Sequence, residues 1–310
     1  MPAPILHDYR SLSERRFGAA GLETIGGGRP KVTLITVTLN ACATLERTIA
    51  SVRAQTFADL EHVVVDGASS DGTRDLLQAA MRAQDYWISE PDRGISDAFN
   101  KGVALASGDY IQFINADDWL SDRQVAVAFH GLESNTADFV FGDLIFYRQG
   151  RPSFRFVGDP AYHKSIHRGM PALNHPTVLI RRDAFERIGL FDLRYRCAMD
   201  YDWFLRLHLA GGRGIYLPGL VGHMNHDGVS NNQYWRTFRE VEAIAVAHGR
   251  HRGVARLETS LRLLKTGISR QLRGPAQPLY RAIRKTINQS YKPLYAPHAS
   301  VPGISTGRPR

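Results

Sequence analysis

The stretch from Trp87 to Asp118 constrains the fold more than any other part of this chain. Tyr110-Ile111-Gln112-Phe113-Ile114 is rich in β-branched and aromatic residues, the composition of a buried strand. It stops at once on Asn115-Ala116-Asp117-Asp118. A helical pattern from Asp97 to Ala106 precedes it, and a short strand at Trp87-Ile88 precedes that. Strand, polar loop, helix and strand make the unit of a right-handed parallel sheet. In open α/β sheets, ligands sit beyond the carboxyl ends of the strands. Two adjacent carboxylates there, with no basic residue beside them, suit a hard cation such as Mg2+ or Mn2+. Such a cation would hold a diphosphate.

The same unit recurs upstream. Val32–Thr38 reads as a nearly all-buried strand with Asn40 at its end. A helix over Thr44–Gln55 follows, with Thr44 as its N-cap. His62-Val63-Val64-Val65 stops at Asp66, and a loop of small residues leads to a helix over Arg74–Met81. Four strand ends thus carry polar groups: Thr38 and Asn40; Asp66 with Ser69 and Asp71; Glu90, Asp92 and Arg93; Asn115, Asp117 and Asp118. If the strands are parallel neighbours, these groups meet on one rim. An acid after a strand can accept from a base N–H or a ribose hydroxyl, so a nucleotide lying across the rim is expected. Neither GxGxxG nor GxxxxGK[ST] is present, so a cation must stand in for a glycine-rich phosphate cradle. Plainer roles exist for each group. Asp117-Asp118, Asp66, Asp71, Asp200 and Asp202 can cap helices or turns, and Asp92-Arg93 can form a surface turn. His175 and His226 can be structural or surface histidines.

Beyond Asp118 the pattern changes. Phe139–Tyr147 is a strand in which Gly142 marks a bulge, and Phe154–Val157 can pair with it. A strand over His175–Ile180, a helix over Asp183–Ile188 and a helix from Asp200-Tyr201-Asp202 to Leu209 follow. Past His223 the strand signals fade, and Gln233–Ala247 and Ala255–Leu272 read as helices. In the second, Leu257, Leu261, Leu264 and Ile268 share a face, and the bases lie mainly elsewhere. The expected organisation is an irregular lead-in over 1–30, an α/β domain over 31–230, and a basic helical extension over 231–310 with a disordered end.

Charge is concentrated. The 310 residues carry a net +9, but residues 251–310 hold twelve Lys and Arg against Glu258 alone, which is +11 and leaves −2 for the rest. A basic tail favours an anionic membrane, nucleic acid or acidic polymer. Cys42 and Cys197 form no disulfide framework, consistent with a reducing compartment. No apolar run approaches the ~18 residues of a membrane span, and residues 1–30 lack a secretory pattern. A cytoplasmic protein is expected, peripheral on the inner face of the membrane if the tail binds there.

Several motifs, taken in order, resemble glycosyltransferase family 2. They are Thr38-Leu39-Asn40, Asp66-Gly67-x-Ser69-x-Asp71-Gly72-Thr73, Glu90-Pro91-Asp92-x-Gly94, Asp97-Ala98-x-Asn100-x-Gly102 and Asn115-Ala116-Asp117-Asp118. The match is dense over 31–120 and looser through His175-Pro176-Thr177 and Asp200-Tyr201-Asp202 to Gly228-Val229-Ser230. The resemblance implies the GT-A fold, a Rossmann-like, mostly parallel sheet flanked by helices. It also implies a nucleotide-sugar donor, most often a uridine diphosphate sugar, and Mn2+ or Mg2+. Asp66 would contact the base, and Thr38 and Asn40 would line its pocket. Ser69, Asp92, Arg93 and Asn100 would belong to the same donor site. Asn115-Ala116-Asp117 falls at the family's Asp-x-Asp, with Asn in place of the first acid. Asp117, helped by Asp118, becomes the metal ligand, and His226 stands where some relatives place a late one. The expected base is Asp200, with Asp202 in reserve, for inverting transfer to a saccharide or lipid-linked acceptor in surface polysaccharide assembly. Nucleic acid is not an expected partner. Two rivals are a nucleotidyltransferase on a similar sheet and a non-catalytic module that docks on anionic surfaces.

Overall fold

In the computed structural model, which describes residues 3–17, 31–225, 233–271 and 291–293, the first half alternates helix and strand. After α1 (Arg10–Phe17) come β1 (Val32–Thr38), α2 (Cys42–Arg53), β2 (Leu60–Asp66) and α3 (Thr73–Ala80). Then follow β3 (Tyr86–Ser89), α4 (Ile95–Leu105) and β4 (Tyr110–Asn115). β1 lies between β2 and β4, and β3 pairs outside β2, all in parallel. Every residue of β1 and β2 is buried, as two-sided helix cover requires. Their side chains alternate between two cores: Ile35 and Val37 join one, Val32 and Leu34 the other.

The second half is β5 (Trp119–Leu120), α5 (Gln124–Glu133), β6 (Phe139–Arg148), β7 (Arg151–Phe156), α6 (Tyr162–Ser165) and β8 (Leu179–Arg181). It continues with α7 (Asp183–Ile188), α8 (Met199–Leu209), β9 (Gly214–Asn225), α9 (Tyr234–Ala247), α10 (Arg252–Gln271) and β10 (Tyr291–Pro293). The sheet runs β10-β7-β6-β8-β4-β1-β2-β3, with β9 beside β6 and β5. β8 is antiparallel to both β4 and β6, which makes the sheet mixed. Phe99, Phe113, Phe185, Phe191 and Trp203 fill the larger core through mutual ring contacts. Among the described residues no helix is long and apolar enough to cross a membrane.

Several expectations differ from the structure. Helix α2 begins at Cys42 with Ala41 at its N-cap, so Thr44 lies inside the helix and does not cap it. Residues 6–17 are helical, not irregular. That segment carries little periodicity and is held by distant partners: Tyr9 Oη donates to Asp97 at 2.7 Å, and the Arg16 guanidinium pairs with Glu61. A long strand, β9, occupies Gly214–Asn225, where no element is expected from the sequence. Pro218-Gly219 breaks its pattern near the register shift where β6 bulges at Gly142. A Cβ on Gly142 would collide with the Leu220 carbonyl, so the bulge needs glycine. Finally, His175–Thr177 is a single 3-10 turn, and the strand itself is confined to Leu179–Arg181. The linker at Gly26–Pro30, His226, Gly228-Val229-Ser230 and the chain end past 293 lie outside the described residues.

Candidate functional site

Sheet register aligns the strand tips. Thr38 pairs with Asp66, Asp66 with Ser89, and Val37 with Asn115. Beyond them opens a cavity of about 570 Å³, bounded by the β1 tip, the loop after β3, the start of α4, the β4 tip and the end of β9. Thr38, Asn40, Asp92, Asn115, Ala116 and Asp117 line it.

The two acids after β4 have different duties. Asp118 is buried, and its carboxylate accepts from the Asn225 backbone N–H at 3.1 Å and from Asn115 Nδ2 at 3.1 Å. Burial, then the neighbouring Asp117 charge, pushes the Asp118 pKa well above the usual carboxylate range. Asp117 faces the cavity, and burial raises its pKa too. No cationic side chain pairs with either acid among the described residues. A charge-poor cleft with an open carboxylate fits a divalent cation. No ready-made cluster of three His, Cys, Asp or Glu exists among the described residues, so Asp117 would share the ion with water and donor phosphate oxygens.

Thr38 Oγ1 is buried at the cavity wall without a hydrogen-bond partner among the described residues. An unpaired buried hydroxyl costs stability. Asn40 adopts a left-handed backbone, φ 52°. Its N–H donates to Ser69 Oγ at 2.7 Å, and its Oδ1 accepts from the Ser70 N–H at 3.0 Å. Those bonds fold the loop after β1 onto the loop after β2.

Other candidates stand back from the cavity. Asp66 is fully buried and accepts from the Ser69 N–H at 3.0 Å, the Ser69 hydroxyl and the Ser89 hydroxyl at 2.6 Å. It shapes its own loop and is not at the cavity wall. Ser69 is committed to the same network. Asp92 instead reaches the cavity, its Oδ1 held by the Gly94 N–H at 2.8 Å, and it lies so close to Gly67 that a Cβ there would meet it at 2.6 Å. Arg93 is bound to Asp97 at 2.9 Å and largely exposed. Asn100 is buried and pins Phe191 by both its N–H and its carbonyl, 2.9 Å each. Asp71 caps the loop before α3, accepting from the Thr73 N–H at 3.1 Å. His175 is stacked on Phe113, and burial lowers its pKa to about 4.

Asp200 and Asp202 are likewise distinguished. Asp202 is buried, with Arg206 Nε at 2.8 Å on one oxygen and His248 Nε2 at 3.2 Å on the other. Asp200 is not among the residues that line the cavity; it sits half-buried in the first turn of α8 with no cationic partner among the described residues, and its Oδ1 accepts from the Tyr201 N–H at 2.8 Å. Burial lifts its pKa to about 6. The approach to α8 runs against the cavity wall: Ser96 donates to the Tyr195 carbonyl, and Arg196 lies next to Gly94. Three N–H groups of that approach, from Arg196, Cys197 and Ala198, converge on Glu240 Oε2 at 3.0, 2.7 and 3.0 Å.

Leu39, Ile95, Met224 and Asn225 also line the cavity and were not singled out from the sequence. Leu39 had a usable signal, since an apolar residue between two polar ones at a strand tip must face out; it is 60% exposed. Met224 and Asn225 had none, because β9 itself was missed.

A family model described as Glycosyl transferase family 2 matches residues 33–189. A PGL/p-HBAD biosynthesis glycosyltransferase of Mycobacterium bovis is 34% identical over 182 residues, covering 57% of this chain and 69% of the relative. Among solved structures, a mannosyltransferase from Pyrobaculum calidifontis, in complex with GDP-Man and Mn2+, superposes with TM-score 0.56. It is 20% identical, with 91% of this chain and 87% of that chain covered. S. aureus TarS 1-349 in complex with UDP-GlcNAc gives TM-score 0.54 at 15% identity, over 73% of this chain and 69% of that chain. At these identities the structural likeness speaks for the fold.

Proposed function

Since this chain belongs to glycosyl transferase family 2, we propose that it moves one sugar from a nucleoside diphosphate donor to an acceptor hydroxyl, with inversion, in bacterial surface polysaccharide biosynthesis. The observation that carries the reading is the cavity beyond β1 and β4, lined by Thr38, Asn40, Asn115 and Asp117, where no cationic side chain among the described residues pairs with Asp117.

The donor lies along the strand tips, its nucleoside toward Leu39 and Asp92 and its diphosphate toward Asp117. A uridine diphosphate sugar is our first choice. Asp117 would hold Mn2+ or Mg2+, with Asp118 bracing the turn behind it. When bound, that cation supplies positive charge where the diphosphate leaves. Asp200 takes the proton of the acceptor hydroxyl, whose oxygen forms the new bond to the anomeric carbon as the bond to the diphosphate breaks. A saccharide or lipid-linked saccharide is the proposed acceptor class. Residues 31–230 form the proposed catalytic domain and 231–310 its extension.

The test is incubation of the full chain with single nucleotide sugars, with Mn2+, Mg2+ or chelator. Metal-dependent release of a nucleoside diphosphate is the expected result. Pyrophosphate release would indicate the nucleotidyltransferase rival, and no donor binding by thermal shift across the panel would overturn the donor site.

A further inference from the structure

Helix α10 is mounted with its most apolar face outward. The face packed on the protein carries Ala255 and Thr259, 3% and 5% exposed, and Arg262, which donates to the Arg168 carbonyl at 3.0 Å. The opposite face carries Val254, Leu257, Leu261 and Leu264, exposed by 46%, 62%, 52% and 61%. Their spacing of three and four residues makes them one continuous stripe. A surface helix of a globular protein ordinarily does the reverse, with its apolar stripe against the core.

Charge surrounds the stripe. Arg256 and Lys265 are exposed and fall on its two flanks, and Arg252 is exposed at the helix start. The only acid of the helix, Glu258, is paired with Arg250. Downstream, residues 272–310 add seven Lys and Arg and no Asp or Glu.

We propose that this face docks on an anionic lipid surface. Leu257, Leu261 and Leu264 enter the boundary between headgroups and acyl chains, and Arg256 and Lys265 meet the headgroup phosphates. A second copy of the chain fits poorly. A two-fold contact through this stripe would set the same cations against one another. An apolar protein groove would leave the flanking cations unanswered, whereas an anionic membrane answers both features. The proposal is independent of the sugar-transfer reading.

The test is sedimentation of the full chain with phosphatidylcholine vesicles, with and without phosphatidylglycerol, at low and high salt. We expect binding to the phosphatidylglycerol vesicles that weakens with salt, as attraction screened over about 10 Å should. Replacing Leu257, Leu261 and Leu264 together by Ser keeps every charge and removes only exposed side chains. It should cost at least about tenfold in vesicle binding with an unchanged melting curve. Arg256→Gln with Lys265→Gln should also weaken binding and serves as the second variant. Wild-type binding by the leucine variant would overturn the proposal, as would indifference to phosphatidylglycerol. A dimer that the leucine variant dissolves, without vesicle binding by the wild type, would assign the face to a second copy instead.

Discussion

The backbone N–H of Asn225 donates to the Asp118 carboxylate at 3.1 Å, tying the end of β9 to the acid behind Asp117. This bond joins the second half of the chain to the rim built by the first. Asp117 and Asp118 should therefore fail differently. Asp117→Ala should abolish metal-dependent transfer with little change in melting temperature. Asp118→Ala should cost about 1–3 kcal/mol of stability, because the part-buried donors of Asn115 and Asn225 lose their acceptor. Denaturant unfolding and turnover on both variants would check the split; equal stability losses would refute it.

Asp200 titrates near pH 6 because burial disfavours its charge. As the proposed base it works ionised, so kcat should fall about tenfold per pH unit below 6. Its ionic form is a liability to the folded state. That penalty is full above pH 6 and absent below about 3.8, the unfolded value, so Asp200→Asn should raise the melting temperature at pH 8 and not at pH 3.5. The same variant should keep donor binding and lose transfer. A pH–rate profile and two melting curves suffice.

Asp202 should behave as a fold residue. Asp202→Ala leaves Arg206 without its carboxylate in a mostly buried position. A loss of about 3 kcal/mol is expected, with kcat per folded molecule retained. Loss of kcat in an Asp202 variant of wild-type stability would move the base assignment to it.

Thr38→Val removes a buried hydroxyl with no partner among the described residues. Stability should hold or rise slightly. Denaturant unfolding of the variant beside the wild type checks this.

Much of the first half was legible because burial on both faces leaves a composition signal. β1, β2 and β4 had to be strands, and their ends had to be polar because the chain leaves the core there. Thr38, Asn40, Asn115 and Asp117 accordingly share one rim. Side-chain direction is not recorded in the local pattern. Asp66 and Asp92 both follow strands, yet Asp66 turns into its own loop and Asp92 into the cavity. Asp200 and Asp202 are two residues apart on α8, so they face different ways, and the side taken by Arg206 and His248 fixes which is engaged.

The order of elements from β1 to β4, their parallel pairing and the acidic tip of β4 were therefore determined by the sequence itself, through local preference and burial. Which acid is open and which is paired, where residues 6–17 attach, and which way α10 turns its leucines were decided only by tertiary structure. Each depends on partners tens to hundreds of residues away, such as Tyr9 with Asp97 or Asp118 with Asn225, and no local pattern records such a distance.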